Sequence, residues 1–289
     1  MTASPVDPLR FPFGANWRRF LETVDDRIVN EAVQSLRVGL GAETLSQKSF
    51  LDLGSGSGLF SLAAWRLGAR VVSVDIDPDS VACTAELKRR AGAEDRLWQV
   101  VSGSALDQQL LRSLGQFDVV YSWGVLHHTG AMWQGLDNAA RCTARGGRLW
   151  VAIYNDQGRA SRRWKWVKRC YNRLPTGCKW LVWGPCLLRL WGPTMLRDLL
   201  RLRPLASWKN YNSHRGMNAW YDVLDWVGGY PFEVARPEQV FGFLADRGFR
   251  LLRLKTCGGG LGCNEYVLRC EPETLVNALP AAESHRSGQ

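Results

Sequence analysis

The apolar positions between residues 48 and 155 alternate between two patterns. Short, almost continuous apolar runs, typical of buried strands, are separated by segments in which apolar residues recur every three or four positions, as on one face of a helix. This alternation predicts a parallel sheet with helices on both faces, joined by right-handed crossovers. The predicted strands are 49–53, 70–75, 97–102, 117–122 and 147–153, and the predicted helices are 57–67, 78–91, 106–113 and 131–144.

Two further regions flank this core. Before it, Phe20 to Val33 show apolar residues at helical spacing. After it, a helix over 237–247 precedes two apolar runs, 249–256 and 264–270, which a glycine-rich segment joins. The two runs predict an antiparallel hairpin. Ligands of such sheets bind outside the carboxyl ends of the strands, so a site is expected among the residues that follow each strand.

The residues after the first two strands indicate a nucleotide-type cofactor. Gly54, Gly56 and Gly58 follow the first strand, and the second strand ends in Asp75. Glycines let the backbone approach a ligand closely, and a carboxylate at this place can accept hydrogen bonds from both ribose hydroxyls. Asp52 precedes the glycines by two residues; it would repel a pyrophosphate and attract a cofactor that carries an ammonium and a sulfonium. This favours S-adenosylmethionine.

The same residues belong to an ordered series that resembles a known family. The series resembles the motifs of class I S-adenosylmethionine-dependent methyltransferases, with distant similarity to ubiquinone-type O-methyltransferases, and consists of LDLGSGSG, SVDID, SALD, FDVVYSWGVLHHTG and GGRLWVAIYN. The resemblance implies a Rossmann-like, seven-stranded, mostly parallel sheet whose last strand is antiparallel. It also implies S-adenosylmethionine as methyl donor and S-adenosyl-L-homocysteine as product.

The resemblance also implies roles for individual residues. The loop that begins at Asp52 would hold the methionine part, Asp75 the ribose, and Ser104 with Ala105 the adenine. The family often has an acid contacting the adenine amino group, and Ser104 stands at that place; its hydroxyl accepts such a hydrogen bond less strongly. The full expected cofactor set is Asp52, Gly54, Ser55, Gly56, Gly58, Asp75, Ile76, Ser104, Ala105, Trp123 and Gly124.

Candidate catalytic residues follow the fourth and fifth strands. Methyl transfer from a sulfonium needs a positioned nucleophile and exclusion of water, with a base for a weakly acidic nucleophile such as a phenol. His127 or His128 could be that base, or each could cap the backbone. Tyr154 is the third catalytic candidate. The expected substrate contacts are Asn155, Lys209, His214 and Arg215.

The net charge of +10 comes from one segment. Arg159 to Arg215 contain fourteen Lys or Arg and one acidic residue, Asp198, whereas the rest of the chain has 23 basic and 26 acidic residues. This Trp-rich segment has three open interpretations: a lid over the substrate, a peripheral contact of residues 160–203 with anionic membrane, and a nucleic-acid surface. Its apolar runs are too short to span a bilayer.

The cysteines bear on the cellular compartment. The eight cysteines are scattered and form no C-x-x-C pair, and the chain has no signal-like start. We therefore expect reduced thiols, no metal site and a cytoplasmic protein, peripheral at the membrane if the basic segment binds lipid.

These observations predict the organisation and activity of the chain. The expected parts are a helical preface (1–47), a cofactor-binding core (48–158), a helical lid inserted after strand five (159–235), a helix and hairpin that complete the sheet (236–271), and a flexible tail (272–289). The expected function is methyl transfer to a small-molecule acceptor, at a phenol or quinol hydroxyl or a carboxylate, including lipophilic acceptors. RNA methylation and non-catalytic cofactor binding are the alternatives.

Overall fold

The computed structural model describes residues 9–14, 17, 21, 23–211 and 219–271. The predicted tail after residue 271 lies outside them. The strands of the central sheet are β1 (Ser49–Leu53), β2 (Arg70–Asp75), β3 (Trp98–Ser102), β4 (Phe117–Trp123), β5 (Thr143–Tyr154), β6 (Phe249–Lys255) and β7 (Cys263–Cys270). They lie in the order β3-β2-β1-β4-β5-β7-β6. Strands β1 to β5 are parallel, and β7 is antiparallel to both β5 and β6. The predicted fold class is confirmed.

Helices cover both faces of this sheet. They are α1 (Asp26–Leu40), α2 (Leu59–Arg66), α3 (Pro78–Ala91), α4 (Gln108–Leu114), α5 (Met132–Arg141), α6 (Arg159–Arg173), α7 (Trp180–Leu200), α8 (Ala206–Lys209), α9 (Ala219–Gly228) and α10 (Pro237–Ala245). Helices α1 to α3 pack on one face with Phe50 and Val119, whereas α4, α5 and α10 pack on the other face with Leu51 and Val120. Successive strand residues point to opposite faces of the sheet, so each apolar strand contributes side chains to both hydrophobic cores.

Local sequence signals fix the ends of the helices. Asp25 caps α1, where its carboxylate accepts a hydrogen bond from the Ile28 backbone N–H at 2.8 Å. Asp77 caps α3 in the same way, Pro78 occupies the first helical position, and Gly92 ends the helix with a φ of 66°. The predicted bounds of 78–91 are therefore reproduced.

Strand β5 begins earlier than predicted. The strand was expected to begin at Gly147, but β5 begins at Thr143 and contains Gly146 as well, and α5 ends at Arg141 instead of near residue 144. The register of β4 and β5 shifts between Phe117 and Val119, and a Cβ on Gly147 would lie 2.8 Å from the Ala144 carbonyl oxygen. The glycines therefore form a bulge in the strand.

The inserted helices build a third core. Side chains of α6, α7 and α9 pack together with Phe11 in a cluster around Tyr171, Cys186, Val223 and Val227. Among the described residues, no helix is both long enough and apolar enough to cross a membrane.

Candidate active site

A cavity of about 570 Å³ lies at the carboxyl ends of β1, β2 and β4, where the strand order reverses direction. Its far wall comes from α7 and α9, through Leu190, Trp191, Asp225 and Trp226. The cofactor residues expected from the sequence line it with one exception, Gly58; those that line it are Asp52, Gly54, Ser55, Gly56, Asp75, Ile76, Ser104, Ala105, Trp123 and Gly124.

The glycine loop is shaped by backbone conformation and close packing. Gly54 and Gly56 have φ angles of 87° and 55°, which other residues rarely adopt. A Cβ on Gly54 would lie 2.4 Å from a methyl carbon of Val125. Gly58 has a φ of 80° and starts α2, and its Cβ would lie 2.9 Å from the Thr84 backbone. Gly58 therefore shapes the loop without lining the cavity.

The Asp75 carboxylate is oriented by the backbone around it. It accepts a hydrogen bond from the Gly56 N–H at 2.9 Å and another from the Asp77 N–H at 2.9 Å. The first bond ties the glycine loop to the end of β2, as does the bond from the Gly54 N–H to the Val74 carbonyl oxygen at 2.7 Å. Burial raises the pKa of Asp75, and the two backbone hydrogen bonds oppose this rise. The carboxylate thus stands at the mouth of the loop with a fixed orientation.

Asp52 forms the buried end of a polar chain beneath the sheet. The Ser61 hydroxyl donates to Asp52 at 2.6 Å and lies 2.7 Å from the Ser73 hydroxyl, and the Trp98 indole N–H donates to Ser73 at 2.8 Å. Burial raises the pKa of Asp52 to about 7, against the effect of the Ser61 hydrogen bond. A cation in the cavity would favour the ionised carboxylate, so this residue fits a cationic cofactor.

The turn after β3 contains the residues expected to contact adenine. The Ser104 hydroxyl accepts a hydrogen bond from the Leu106 N–H at 3.1 Å, which fixes the turn after β3. The Asn138 side chain donates to the Ala105 carbonyl oxygen at 2.9 Å from α5. These two hydrogen bonds hold the turn in place, and it lines the same cavity as the residues of α7 and α9.

The two histidines differ in position. His128 lines the cavity, and its Nδ1 lies 2.7 Å from the Pro231 carbonyl oxygen. A carbonyl oxygen only accepts, so Nδ1 carries the proton and Nε2 has the lone pair. Burial, with a smaller contribution from the positive charge of Lys168, lowers the pKa of His128 to about 3. The imidazole is therefore neutral at physiological pH.

His127 is not at the cavity. It is fully buried, its Nδ1 accepts a hydrogen bond from the Tyr154 N–H at 3.3 Å, and its ring lies 3.9 Å from the Tyr154 ring. Of the two roles considered for His127, general base or backbone contact, the structure shows the backbone contact, behind Tyr154. Tyr154 itself lines the cavity, as predicted.

The expected substrate contacts are distributed differently from the prediction. Asn155 accepts a hydrogen bond from the Asn264 side chain at 3.1 Å and is held at the hairpin, away from the cavity. Lys209 is exposed on α8 and does not line the cavity either. Asn155 follows β5 and bridges to Ala235, so this bridge and the hydrogen bond from Asn264 fix its position. His214 and Arg215 lie outside the described residues.

Several residues at or near the site were not anticipated. Asp222 and Asp225 of α9 line the cavity, which thereby has five carboxylates and, among its described lining residues, one basic side chain, Arg10. Lys168 of α6 is fully buried, its ammonium contacts the Trp226 carbonyl oxygen, and it lies 4.5 Å from the centre of the Trp226 ring. The spacing of Trp164, Lys168 and Tyr171 on α6 was the available signal, since it puts all three on the inner face of that helix.

Comparisons with known proteins agree with this site. Residues 51–151 match the family described as "Methyltransferase domain". A ribosomal protein L11 methyltransferase of Alteromonas mediterranea is 54% identical over 54 residues, which are 18% of this chain and 18% of that protein. An uncharacterized protein of a Synechococcus species is 30% identical over 163 residues, which are 55% of this chain and 36% of that protein. The chain thus spans well under half the length of these curated relatives.

Solved structures share the fold. An O-methyltransferase family protein from Burkholderia thailandensis superposes with a TM-score of 0.52 at 13% identity, over 90% of this chain and 60% of that one. The N-methyltransferase NodS from Bradyrhizobium japonicum, in complex with S-adenosyl-L-homocysteine, superposes with a TM-score of 0.50 at 15% identity, over 91% of this chain and 100% of that one.

The fold, the ordered motifs and the family match all indicate a methyltransferase. Residues 51–151 are a methyltransferase domain. The predicted family and the predicted cofactor, S-adenosylmethionine, are confirmed.

Proposed function

We propose that this protein transfers a methyl group from S-adenosylmethionine to a hydroxyl oxygen of a small aromatic or otherwise apolar acceptor. The observation that carries the proposal is the lining of the cavity: the expected cofactor residues line it together with His128, Tyr154 and Trp226, which we assign to the acceptor. Bound there, S-adenosylmethionine supplies a methyl group on a sulfonium. The protein has to orient the acceptor, exclude water and take up a proton.

His128 is suited to receive the proton of the acceptor hydroxyl. Its Nδ1 is held by the Pro231 carbonyl oxygen at 2.7 Å, so Nε2 is the nitrogen that can accept a hydrogen bond. The low pKa of about 3 keeps this nitrogen unprotonated before the reaction. So weak a base takes the proton only as methyl transfer makes the acceptor oxygen acidic, and it then releases the proton readily to solvent.

The charge of the cavity favours a neutral hydroxyl over a carboxylate. Asp222 and Asp225 lie on the acceptor side, and Lys209, which was expected to clamp an anion, does not line it. A carboxylate acceptor would be repelled by these acids in a site of low dielectric constant. The apolar side chains of Phe13, Leu190 and Trp191 suit an acceptor with an apolar body.

The test is to incubate the protein with S-adenosylmethionine labelled in its methyl group and a mixed metabolite and lipid extract. Mass spectrometry should find one labelled product whose methyl group resists mild alkali, as an ether does and an ester does not. At a limiting concentration of S-adenosylmethionine, Asp75→Ala should strongly lower labelling, and Arg112→Gln, an exposed change on α4, should retain it. Label in RNA, in an ester or in an amine, or in no product at all, would contradict the proposal.

A further inference from the structure

The outer surface of α6 and α7 combines two features that are rarely exposed together. The first is a basic stripe along α6: Arg162, Lys165, Arg169 and Arg173 recur every three or four residues and are all exposed. Trp166 lies within this stripe and is 68% exposed. The stripe therefore presents a row of cations beside an indole ring.

The second feature is an apolar stripe along α7. Leu181, Leu188, Leu196 and Leu199 follow one face of the helix and are 52%, 70%, 57% and 59% exposed. Pro185 and Gly192 fill the positions between them, so no charged side chain interrupts the stripe. Arg189 and Arg197 flank it and are exposed. Burying these leucines in an apolar environment would remove their apolar area from water, which is energetically favourable.

The two stripes face away from the same core. The inner faces of α6 and α7 pack on the cluster that contains Tyr171 and Cys186. Helices α6 and α7 also contact each other. We call their outward faces together the α6–α7 surface and define it by Arg162 to Arg173 and Trp180 to Leu199.

We propose that the α6–α7 surface docks on an anionic lipid bilayer, with its leucines and Trp166 among the acyl chains near the headgroups and its basic side chains on lipid phosphates. Charge complementarity favours this occupant, because a row of cations on α6 accompanies the exposed apolar stripe on α7, a combination that suits the interface of an anionic bilayer. A second copy of the chain would bring the arginine rows of two molecules together. RNA would occupy the cations and leave the leucine stripe in water.

Docking would place the cavity next to the lipid. Leu190 and Trp191, which line the cavity, belong to the same helix as the exposed leucines. An acceptor dissolved in the bilayer could then enter past α7 without crossing water. This consequence rests on the proposed function, whereas the docking itself does not.

Vesicle co-sedimentation tests the docking directly. The full chain is mixed with vesicles of phosphatidylcholine, or of phosphatidylcholine with phosphatidylglycerol, at low and at high salt. We expect binding to the anionic vesicles, weak binding to the neutral ones, and a strong decrease at high salt. The charge variant Arg162→Gln, Lys165→Gln, Arg169→Gln should lower the partition constant by at least about tenfold. The apolar variant Leu188→Gln, Leu196→Gln, Leu199→Gln should lower it by about as much.

Matched controls separate this surface from charge and apolarity in general. Arg27→Gln, Arg96→Gln, Arg112→Gln removes the same charge elsewhere on the exposed surface, and Val38→Gln, Leu252→Gln, Leu254→Gln removes exposed apolar side chains near β6. Both controls should bind vesicles as the unchanged chain does. Affinity for S-adenosylmethionine verifies that every variant is folded, so a failure of docking is distinguishable from a failure of the methyltransferase site.

Three results would overturn the proposal. One is equal binding of the unchanged chain and of both variants, or no vesicle binding at all. Another is tighter binding to RNA that only the charge variant weakens. The third is self-association in light scattering that the apolar variant abolishes.

Discussion

Asp52 is a buried carboxyl whose charge depends on what occupies the cavity. Its pKa is raised to about 7 by burial, so the group is partly protonated near neutral pH. A bound sulfonium and ammonium would stabilise the carboxylate and release that proton. The residue therefore couples cofactor binding to pH.

We predict that the affinity for S-adenosylmethionine rises between about pH 5.5 and pH 7. At a pH below the Asp52 pKa of about 7, binding of the cationic cofactor has to displace a proton from this carboxyl group, which weakens the binding. Calorimetric titrations in buffers of different ionisation enthalpy should report the released proton. Asp52→Asn, which keeps a partner for Ser61, should bind more weakly and lose this release. An unchanged proton count in the variant would remove Asp52 from cofactor binding.

His128 supplies a prediction for the pH dependence of turnover. Its pKa is lowered from 6.5 to about 3, so the imidazole does not titrate between about pH 5 and pH 8. The rate should therefore show no inflection near pH 6.5 from this residue. His128→Gln should lower kcat by about 10²-fold or more with cofactor affinity unchanged. Wild-type turnover in the variant, or an inflection near pH 6.5 that disappears with it, would contradict this assignment.

At the scale of elements, α6 anchors α9 over the cavity. The Lys168 ammonium contacts the Trp226 carbonyl oxygen, and the Asn172 side chain donates to the Gly228 carbonyl oxygen at 2.6 Å. Both groups satisfy carbonyls at the carboxyl end of α9, where the helix dipole favours a positive charge. These contacts therefore hold α9, and with it Asp225, in place against the cavity.

The buried Lys168 predicts a pH dependence of stability. Burial lowers its pKa from 10.5 to about 7, so between these values the unfolded chain binds a proton that the folded chain does not. Its contribution to the free energy of unfolding therefore rises with pH across this window, by about 1 kcal/mol per pH unit. Urea unfolding at about pH 7 and pH 9.5 should show a steeper rise for the unchanged chain than for Lys168→Met. Lys165→Met, exposed on the same helix, should behave as the unchanged chain, and equal slopes in all three proteins would refute the assignment.

The sequence predicted most elements because local signals agreed with the tertiary structure. The predicted bounds of α3 agree with the cap at Asp77 and with Gly92, and the short apolar runs predicted the parallel strands, whose side chains enter two cores. It missed the start of β5, because a glycine pair indicates a turn and a strand bulge equally well. It missed the burial of Lys168, because charge predicts exposure unless the partners of the helix are known.

At the scale of the whole molecule, the cofactor end of the cavity was predictable and the acceptor end was not. Asp52, Asp75 and Ser104 lie at the carboxyl ends of strands within one ordered motif series, so their positions depend on sheet topology alone. Asp225 and Trp226 reach the cavity only through the packing of α6, α7 and α9. That packing has no short sequence signature, and the expected contact Lys209 consequently lies elsewhere.

The central claim is that the cavity at the carboxyl ends of β1, β2 and β4 binds S-adenosylmethionine through the Asp75 carboxylate. Calorimetric titration of the cofactor into the unchanged chain, Asp75→Ala and the exposed control Asp95→Ala tests it most directly. We predict saturable binding to one site, weakened by about 1.5–3 kcal/mol in Asp75→Ala and unchanged in Asp95→Ala. Absence of binding to the unchanged chain, or equal affinity in Asp75→Ala, would contradict the account.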